Sequence, residues 1–448
     1  MLVYPYFRPL NDRSIFRFPP LGLGYIAAYL KQHNISVDLA DCTFLNREEA
    51  LEKVRSSDPT IVGIYSMFTM KDKAIQMAKL LRENCKLLVA GGPLPTLNSA
   101  VFLHDFDVVV NGEGEETMLE LAREVEKGAD LSRVRGITFK EKDKLKSTPS
   151  RKVIQSLDNI PFPARELFDH QAYKNYYAKK FGYTATSMIT SRGCPFNCDF
   201  CSRPIFGNEL RIRSAANIVD EIETVQALGY ERVWFADDCF TLNRRRLIGI
   251  CKEIVHRRIR IEWECLSRVD TIDREMTERM KQAGCVRVFF GMESGNDSVL
   301  TLMKKRATTK QAKEAVYTTK KSGVQVGAFF IVGYPGETNE TILDTVRFAS
   351  SLPLDYLSFT LPYPIPGTPL YDRVKDQMIT SDRKEPTRLR LTEHKLLYRS
   401  SFSEDKLKFA IMKATVQFIL RKYLGKRVYR LIGTPFESLT DIMFKLIR

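Results

Sequence analysis

No stretch of about 18 or more apolar residues occurs in the 448-residue chain, so a membrane-spanning helix is not expected. The N-terminus lacks the basic-then-apolar pattern of a secretory signal. It reads instead as the start of a strand, Met1-Leu-Val-Tyr-Pro5. Cysteine is sparse and odd in number, nine in all, and outside one group the residues are scattered. That argues against a disulfide framework and for a reducing, cytoplasmic setting. Histidine is scarcer still, with five. Those nearest the cysteine group, His170 and His256, stand at no ligand spacing from it.

What the chain does have is length and positive charge. At 448 residues it predicts two to four domains with ample core. The net charge of +15 suits nucleic acid, anionic lipid or an acidic partner, and equally a solvated surface rich in Lys and Arg.

The chemistry concentrates in Cys194-Pro-Phe-Asn-Cys198-Asp-Phe-Cys201, which follows an apolar run ending at Ser191. Three thiolates on one strand-to-helix loop can hold three irons of a 4Fe–4S cubane and leave the fourth iron open. A zinc site is the plainer reading, but zinc takes four N/S ligands, usually as two close pairs. No second C-x2-C pair exists.

Residues 1–135 alternate strand and helix. Strands are expected at 1–4, 36–39, 61–65, 87–90 and 107–110, and helices at 23–33, 47–56, 71–84 and 116–127. This alternation predicts a doubly wound parallel sheet that binds ligands at the carboxyl ends of its strands. Three loops there are rich in Gly and Pro: Pro19–Gly24, Gly91–Thr96 and Asn111–Thr117. Residues 136–185 read as a linker, with a short strand at 136–139, an exposed charged run at 140–151 and a Pro-rich stretch at 157–168.

From 186 to 370 a second series begins. Strands are expected at 187–191, 232–236, 261–266, 287–291, 325–332 and 356–361, with helices at 215–228, 244–257, 274–283, 310–322 and 340–352. Six such units fit an open (β/α)6 barrel, whose reacting groups gather at the carboxyl ends of the strands. Those ends carry Cys194, Cys198 and Cys201, then Asp237, Arg268, Glu293, and the turn Gly333-Tyr-Pro-Gly336.

The cysteine motif, with Phe200 just before its last Cys, resembles the radical S-adenosylmethionine (SAM) enzymes. The N-terminal loops resemble the cobalamin-binding domain that precedes many such cores. The resemblance spans about residues 1–370. It implies Cys194, Cys198 and Cys201 as iron ligands. It implies Phe200, Asp237, Arg268, Glu293, Gly333 and Gly336 as SAM contacts. Gly22, Ser66, Gly91, Gly92, Pro93, Asn111, Gly112 and Glu113 are the implied cobalamin contacts. The Asp-x-His-x-x-Gly motif of many cobalamin domains is absent, and Leu94 stands where relatives often have His. Cobalt without a histidine ligand is therefore expected. The remaining cysteines read as buried thiols, and with only Cys42 and Cys85 in the N-terminal half a second cluster is not expected.

The expected function is a cobalamin-dependent radical SAM methyltransferase acting on an unactivated sp3 carbon through a 5′-deoxyadenosyl radical and methylcobalamin. The alternatives are the same cofactors used without net methylation, as in ring formation or oxidation, and a non-catalytic cobalamin sensor or carrier. No catalytic residue beyond the cofactor contacts is assigned. The expected partners are an organic substrate (lipid, peptide, protein or small molecule) and a reductant such as flavodoxin or ferredoxin. Residues 371–448 read as mostly helical, with apolar spacing over 405–425 and basic residues after it. Such a helix lies on a membrane surface, holds a partner, or packs over the barrel with its Lys and Arg in water. Nucleic acid is disfavoured, because the aromatic–basic pattern of RNA modules is missing.

Overall fold

Strands β1 (Leu2–Tyr4), β2 (Leu39–Asp41), β3 (Ile61–Tyr65), β4 (Leu87–Gly91) and β5 (Val108–Val110) are mutually parallel. Two more, β6 (Ile137–Glu141) and β7 (Lys144–Ser147), add on antiparallel, giving the order β2-β1-β3-β4-β5-β6-β7. Helices α1 (Leu21–Gln32), α2 (Arg47–Ser56), α3 (Lys71–Leu81), α4 (Pro93–Leu97), α5 (Ser99–Phe102) and α6 (Glu115–Lys127) supply the connections. Neighbouring strand residues enter different cores. Leu2 and Val89 pack with Leu23 and Met118, whereas Val3 and Leu88 pack with Ala50 and Met77. Successive strand side chains point to opposite faces, so helices cover this sheet on both sides, the doubly wound arrangement expected.

The computed structural model describes residues 1–7, 17–128, 130–142, 144–201, 206–379, 395–424 and 426–447. The chain divides into two units, residues 1–195 with 203–236, and residues 196–202 with 237–448.

The first unit continues beyond β7 with α7 (His170–Phe181), β8 (Ala185–Met188), β9 (Ser191–Arg192), β10 (Arg211–Ile212), α8 (Ala215–Ala227) and β11 (Arg232–Phe235). Strands β8 and β11 pair in parallel, and β9 pairs antiparallel with β10. Several features depart from the sequence reading, and α4, α5 and β10 were not expected. Strand β2 begins at Leu39 rather than 36, because only Leu39–Asp41 meet partners on β1. The charged run after 139 is an edge hairpin whose lysines face water, as suits an unpaired edge. Helix α7 was not expected; Asp169 caps its start and Gly182 ends it in the left-handed conformation. The strand expected over 187–191 is split, and its last residue belongs to the β9–β10 ribbon.

In the second unit come α9 (Arg244–His256), β12 (Glu262–Ser267), α10 (Arg274–Gln282), β13 (Cys285–Glu293), α11 (Asp297–Leu302), α12 (Thr309–Lys321), β14 (Gln325–Ile331), α13 (Asn339–Ser351), β15 (Tyr356–Thr360), α14 (Pro369–Val374), α15 (Glu404–Tyr423) and α16 (Lys426–Leu446). Strands β12 to β15 are parallel neighbours in chain order. Side chains of Asn243, Asp273, Thr308, Thr338 and Ser403 each accept a backbone N–H of the helix they precede. Such caps satisfy donors that a helix start leaves open, and they explain why these boundaries were readable. The short helices α11 and α14 were not expected. Of the helical stretch expected over 371–448, residues 380–394 lie outside the described residues. Among the described residues no helix is long and apolar enough to cross a membrane.

A buried ion triad holds the linker to α8. Glu221, fully buried, accepts from Arg165 Nη2 at 2.6 Å and from Arg213 Nη1 at 2.5 Å. Removing the shared carboxylate leaves two buried guanidinium groups without it. Glu221→Ala is expected to cost about 3–5 kcal/mol, read as a lower urea midpoint by circular dichroism.

Candidate functional site

Cys198-Asp-Phe-Cys201 is held in the second unit by the two residues between its thiols, chiefly Asp199. The Asp199 side chain is fully buried; Oδ2 accepts from Arg373 Nη2 at 2.8 Å, and Oδ1 accepts from the Tyr334 hydroxyl. Its backbone N–H donates to the Met303 carbonyl at 3.1 Å, and its carbonyl accepts from the Leu370 N–H at 3.0 Å. Phe200 packs on the apolar cluster of Val299, Met303, Ile331, Tyr334 and Leu370. A buried carboxylate is tolerable only when paired and hydrogen-bonded, so these contacts fix one position for the loop.

Cations stand beside the middle thiol. Arg268 Nη1 is 3.8 Å from Cys198 Sγ, and its guanidinium lies 3.5 Å from the centre of the Phe196 ring. The same guanidinium forks onto Asp270, with two contacts of 2.8 Å, and Nη2 also donates to the Lys305 carbonyl at 2.6 Å. Lys305 Nζ donates to Glu293 Oε1 at 2.8 Å. Burial alone would lower the Lys305 pKa, but the charges of Glu293 and Cys198 outweigh it and hold the pKa above its ordinary value.

Glu293 owes its direction to a bulge. Strand β13 slips register against β14 between Gly291 and Glu293, and Glu293 has φ of 66°. Bulges re-aim side chains and cluster beside functional sites. Gly291 makes room for the turn, since a Cβ there would stand 2.6 Å from Glu293 Oε1. Beyond β14, Glu337 Oε2 accepts from the N–H groups of Gly333 at 2.7 Å and Tyr334 at 2.8 Å. Burial pushes its pKa up to about 7 against the pull of those two donors. The Gly333 carbonyl accepts from the Tyr398 hydroxyl at 3.1 Å, so both backbone polar groups of Gly333 are engaged inside the unit. Gly336 closes the turn with φ of 96°. Asp237 is buried in an ion pair with Arg246 at 3.3 Å.

The first unit has a site of its own. A cavity of about 390 Å³, within the usual range for ligand pockets, opens at the carboxyl ends of β1, β3, β4 and β5 and the start of α1. Gly22, Gly91, Gly92, Pro93, Gly112 and Glu113 line it, all residues that the loop reading singled out. Ser66 and Asn111 do not; Ser66 is buried, and Asn111 Nδ2 donates to Thr138 Oγ1 at 2.9 Å. Leu94 sits in the apolar cluster with Ala90 and Phe102. Gly92 has φ of 107°, and a Cβ there would meet the Ser66 carbonyl at 2.7 Å, so no other residue fits. The cavity also exposes Arg192, forked between Glu113 Oε1 at 2.9 Å and Glu115 Oε1 at 2.5 Å, while Arg211 Nη1 donates to Glu113 at 2.9 Å.

The radical SAM superfamily matches residues 188–349, and the B12 binding domain matches residues 8–122. An uncharacterized methyltransferase of Pyrococcus horikoshii is 33% identical over 423 residues, covering 92% of this chain and 90% of the relative. This chain belongs to the cobalamin-binding radical SAM enzymes. The anaerobic magnesium-protoporphyrin IX monomethyl ester cyclase of Rubrivivax gelatinosus is 30% identical over 400 residues, covering 85% of this chain and 71% of that one. In fold, the chain is similar to the radical SAM methyltransferase TsrM of Kitasatospora setae, a structure with cobalamin and a 4Fe–4S cluster bound, at a TM-score of 0.73. That match has 19% identity and covers 88% of this chain and 79% of TsrM.

A radical SAM enzyme with a cobalamin domain works with SAM, a 4Fe–4S cluster and cobalamin, and the residues present suit all three. No disulfide joins any of the nine cysteines; Cys194 and Cys198 are half-buried and Cys201 is exposed. Among the described residues no three Cys, His, Asp or Glu side chains are gathered about a single metal ion. Arg268 stands beside Cys198, a cation next to one of the three candidate iron ligands. For cobalamin the fit lies in the cradle: nothing stands within 4 Å of a Cβ built on Gly22, Gly91 or Gly112, so side chains there would occupy the cavity itself. For SAM, Glu293 offers a buried carboxylate of which Lys305 engages one oxygen.

Sequence reasoning missed Asp199, Lys305, Tyr334, Arg373 and Arg192. Asp199 lies inside the motif and could have been found, because a carboxylate between two ligand cysteines asks for a partner. The others could not, since their partners are distant in the chain. Asp199→Ala is expected to leave the overall fold intact by circular dichroism while cutting bound iron, after anaerobic reconstitution, to less than half the wild-type value. A second expectation concerns pH. The Glu337 pKa is raised in the folded chain, from 4.5 to about 7, so its contribution to stability is present below pH 4.5 and is lost as pH rises towards 7. Wild type should lose stability relative to Glu337→Gln between pH 5 and 7, measured by urea unfolding.

Proposed function

We propose that this enzyme is a methyltransferase that places a methyl group on an unactivated sp3 carbon. When bound, cobalamin supplies a methyl group on cobalt and SAM at the cluster supplies a 5′-deoxyadenosyl radical. The observation that carries the reading is the make-up of the cavity in the first unit. Among the described residues no histidine or cysteine lines it. Its carboxylates, Glu113 and Glu115, are bound to Arg192 and Arg211. Burial pushes the Tyr65 phenol up to about 12 and those of Tyr4 and Tyr25 higher, so all three keep their protons and are poor ligands. These residues would hold the cofactor without offering a strong ligand to its metal, and its methyl group would then be open to transfer as a radical.

The chain's other residues bind and orient. Arg268 and Lys305 offset the negative charge of the thiolates, Asp199 holds the cysteine loop, and Glu293 offers its carboxylate to the SAM ammonium or ribose. The relative in Pyrococcus horikoshii is named a methyltransferase, and so is TsrM, which supports the same outcome. Ring formation is the second reading, favoured by the cyclase of Rubrivivax gelatinosus. The substrate classes that fit are lipid, peptide or protein, and small molecule, with flavodoxin or ferredoxin as reductant.

Replacing C–H by C–CH3 releases the hydrogen in 5′-deoxyadenosine and the spent methyl donor as S-adenosylhomocysteine, with two electrons from the reductant. The reconstituted enzyme, given a cell extract and methyl-deuterated SAM, should therefore release both nucleosides in comparable amount and label a product. Cys194→Ala/Cys198→Ala/Cys201→Ala should abolish all three. Deoxyadenosine without S-adenosylhomocysteine or label transfer would replace methylation by ring formation.

A further inference from the structure

An arginine beside a metal-binding thiol can grip an incoming ligand or act on the sulfur, and its other contacts decide which. Arg268 follows β12 directly and is 5% exposed. Its carbonyl accepts from the Ser267 hydroxyl at 3.0 Å, the Thr271 hydroxyl at 3.2 Å and the Thr271 N–H at 3.4 Å, which fixes the backbone. The side chain is fixed as firmly. Nε donates to Asp270 Oδ1 and Nη2 to Asp270 Oδ2, each at 2.8 Å, and Nη2 donates again to the Lys305 carbonyl at 2.6 Å. Nη1 donates to Cys198 Sγ at 3.8 Å. The Phe196 ring, from the same loop as Cys198, covers one side of the guanidinium, with Cζ 3.5 Å from the ring centre.

A guanidinium carries five N–H groups. These contacts take four of them and leave at most one. A bidentate grip on a carboxylate needs two parallel N–H groups along one edge. Asp270 closes the edge formed by Nε and Nη2, and on the other edge both Nη2 groups are already bound. Arg268 is therefore built to keep one N–H on sulfur rather than to grasp a carboxylate ligand.

Hydrogen bonds to the sulfurs are among the levers that set the potential of an iron–sulfur cluster. One electron taken from the reductant makes the sulfur ligands more negative, with no proton involved. A donor aimed at one of them then favours the reduced form. Asp270 offsets much of the guanidinium charge at a distance, so the sulfur feels chiefly the local N–H group. Because the donor is held in advance, it costs no reorganisation when the electron arrives.

We propose that Arg268 is a positioning residue that raises the reduction potential of the cluster by donating its Nη1–H to Cys198 Sγ. The proposal rests on Cys198 as an iron ligand, which iron analysis of Cys198→Ala tests separately. It does not depend on the reaction catalysed.

The test is a redox titration of the reconstituted full-length enzyme without SAM, following the absorbance of the cluster. Arg268→Gln, at wild-type iron content, should be about tenfold harder to reduce, a fall of about 59 mV for a one-electron couple. Arg268→Lys keeps the charge, but its single nitrogen cannot fork onto Asp270 while reaching sulfur, so its potential should also fall. Lys313→Gln, which removes an exposed cation from α12, should titrate like wild type. A wild-type potential in either iron-replete Arg268 variant would overturn the proposal. If that variant also bound SAM more weakly in equilibrium dialysis, Arg268 would be a SAM contact instead. Loss of iron from both variants would overturn it as well, since the residue would then be needed to assemble the cluster rather than to tune it.

Discussion

The pairing of Asp199 with Arg373 and Tyr334 is the interaction on which the cysteine loop depends. A lone carboxylate taken out of water costs several kcal/mol, and it is stable here only because cation, phenol and backbone partners converge on one residue. Those partners come from β14's following turn, from α14 and from the end of α11, segments far apart in the chain. The loop's place is therefore a property of the folded unit and not of the motif. The same rule governs the rest of this chemistry. Glu293 is met by Lys305, Glu113 and Glu115 by two arginines, and Glu337 by two N–H groups.

Much of this architecture was legible in the sequence, for physical reasons. Alternating apolar runs placed the longer strands and helices of both units to within a few residues, while the short helices α4, α5, α11 and α14 and the helix α7 were not expected. Glycine loops at strand ends pointed to the cavity, and six of the eight residues singled out there line it. What could not be read was pairing over distance. The single apolar run at 187–191 does not say that Ser191 will pair with Ile212. Ser66 and Asn111 look like loop polar groups in sequence, and only the fold turns them away from the cavity. The sequence does not say that Arg268 will give its Nε and Nη2 to Asp270, two residues on.

The two cofactor regions solve opposite problems. Around Cys198 the protein adds positive charge to steady anionic sulfur. Around the first-unit cavity it ties up Glu113 and Glu115 with arginines, beside apolar residues and glycines. Radical chemistry asks for both, since an exposed anion would draw water in and a misplaced donor would change the metal's reactivity.

Arg192 has one further consequence. It lines the cavity, bonds to Glu113 and Glu115, and stands two residues before Cys194 in the chain. A ligand that binds only the native cavity raises the population of that arrangement by mass action. Filling the cavity therefore stabilises the short ribbon from which the first cysteine departs. Coupling of this kind is reciprocal: whatever fixes the ribbon favours the filled cavity to the same extent.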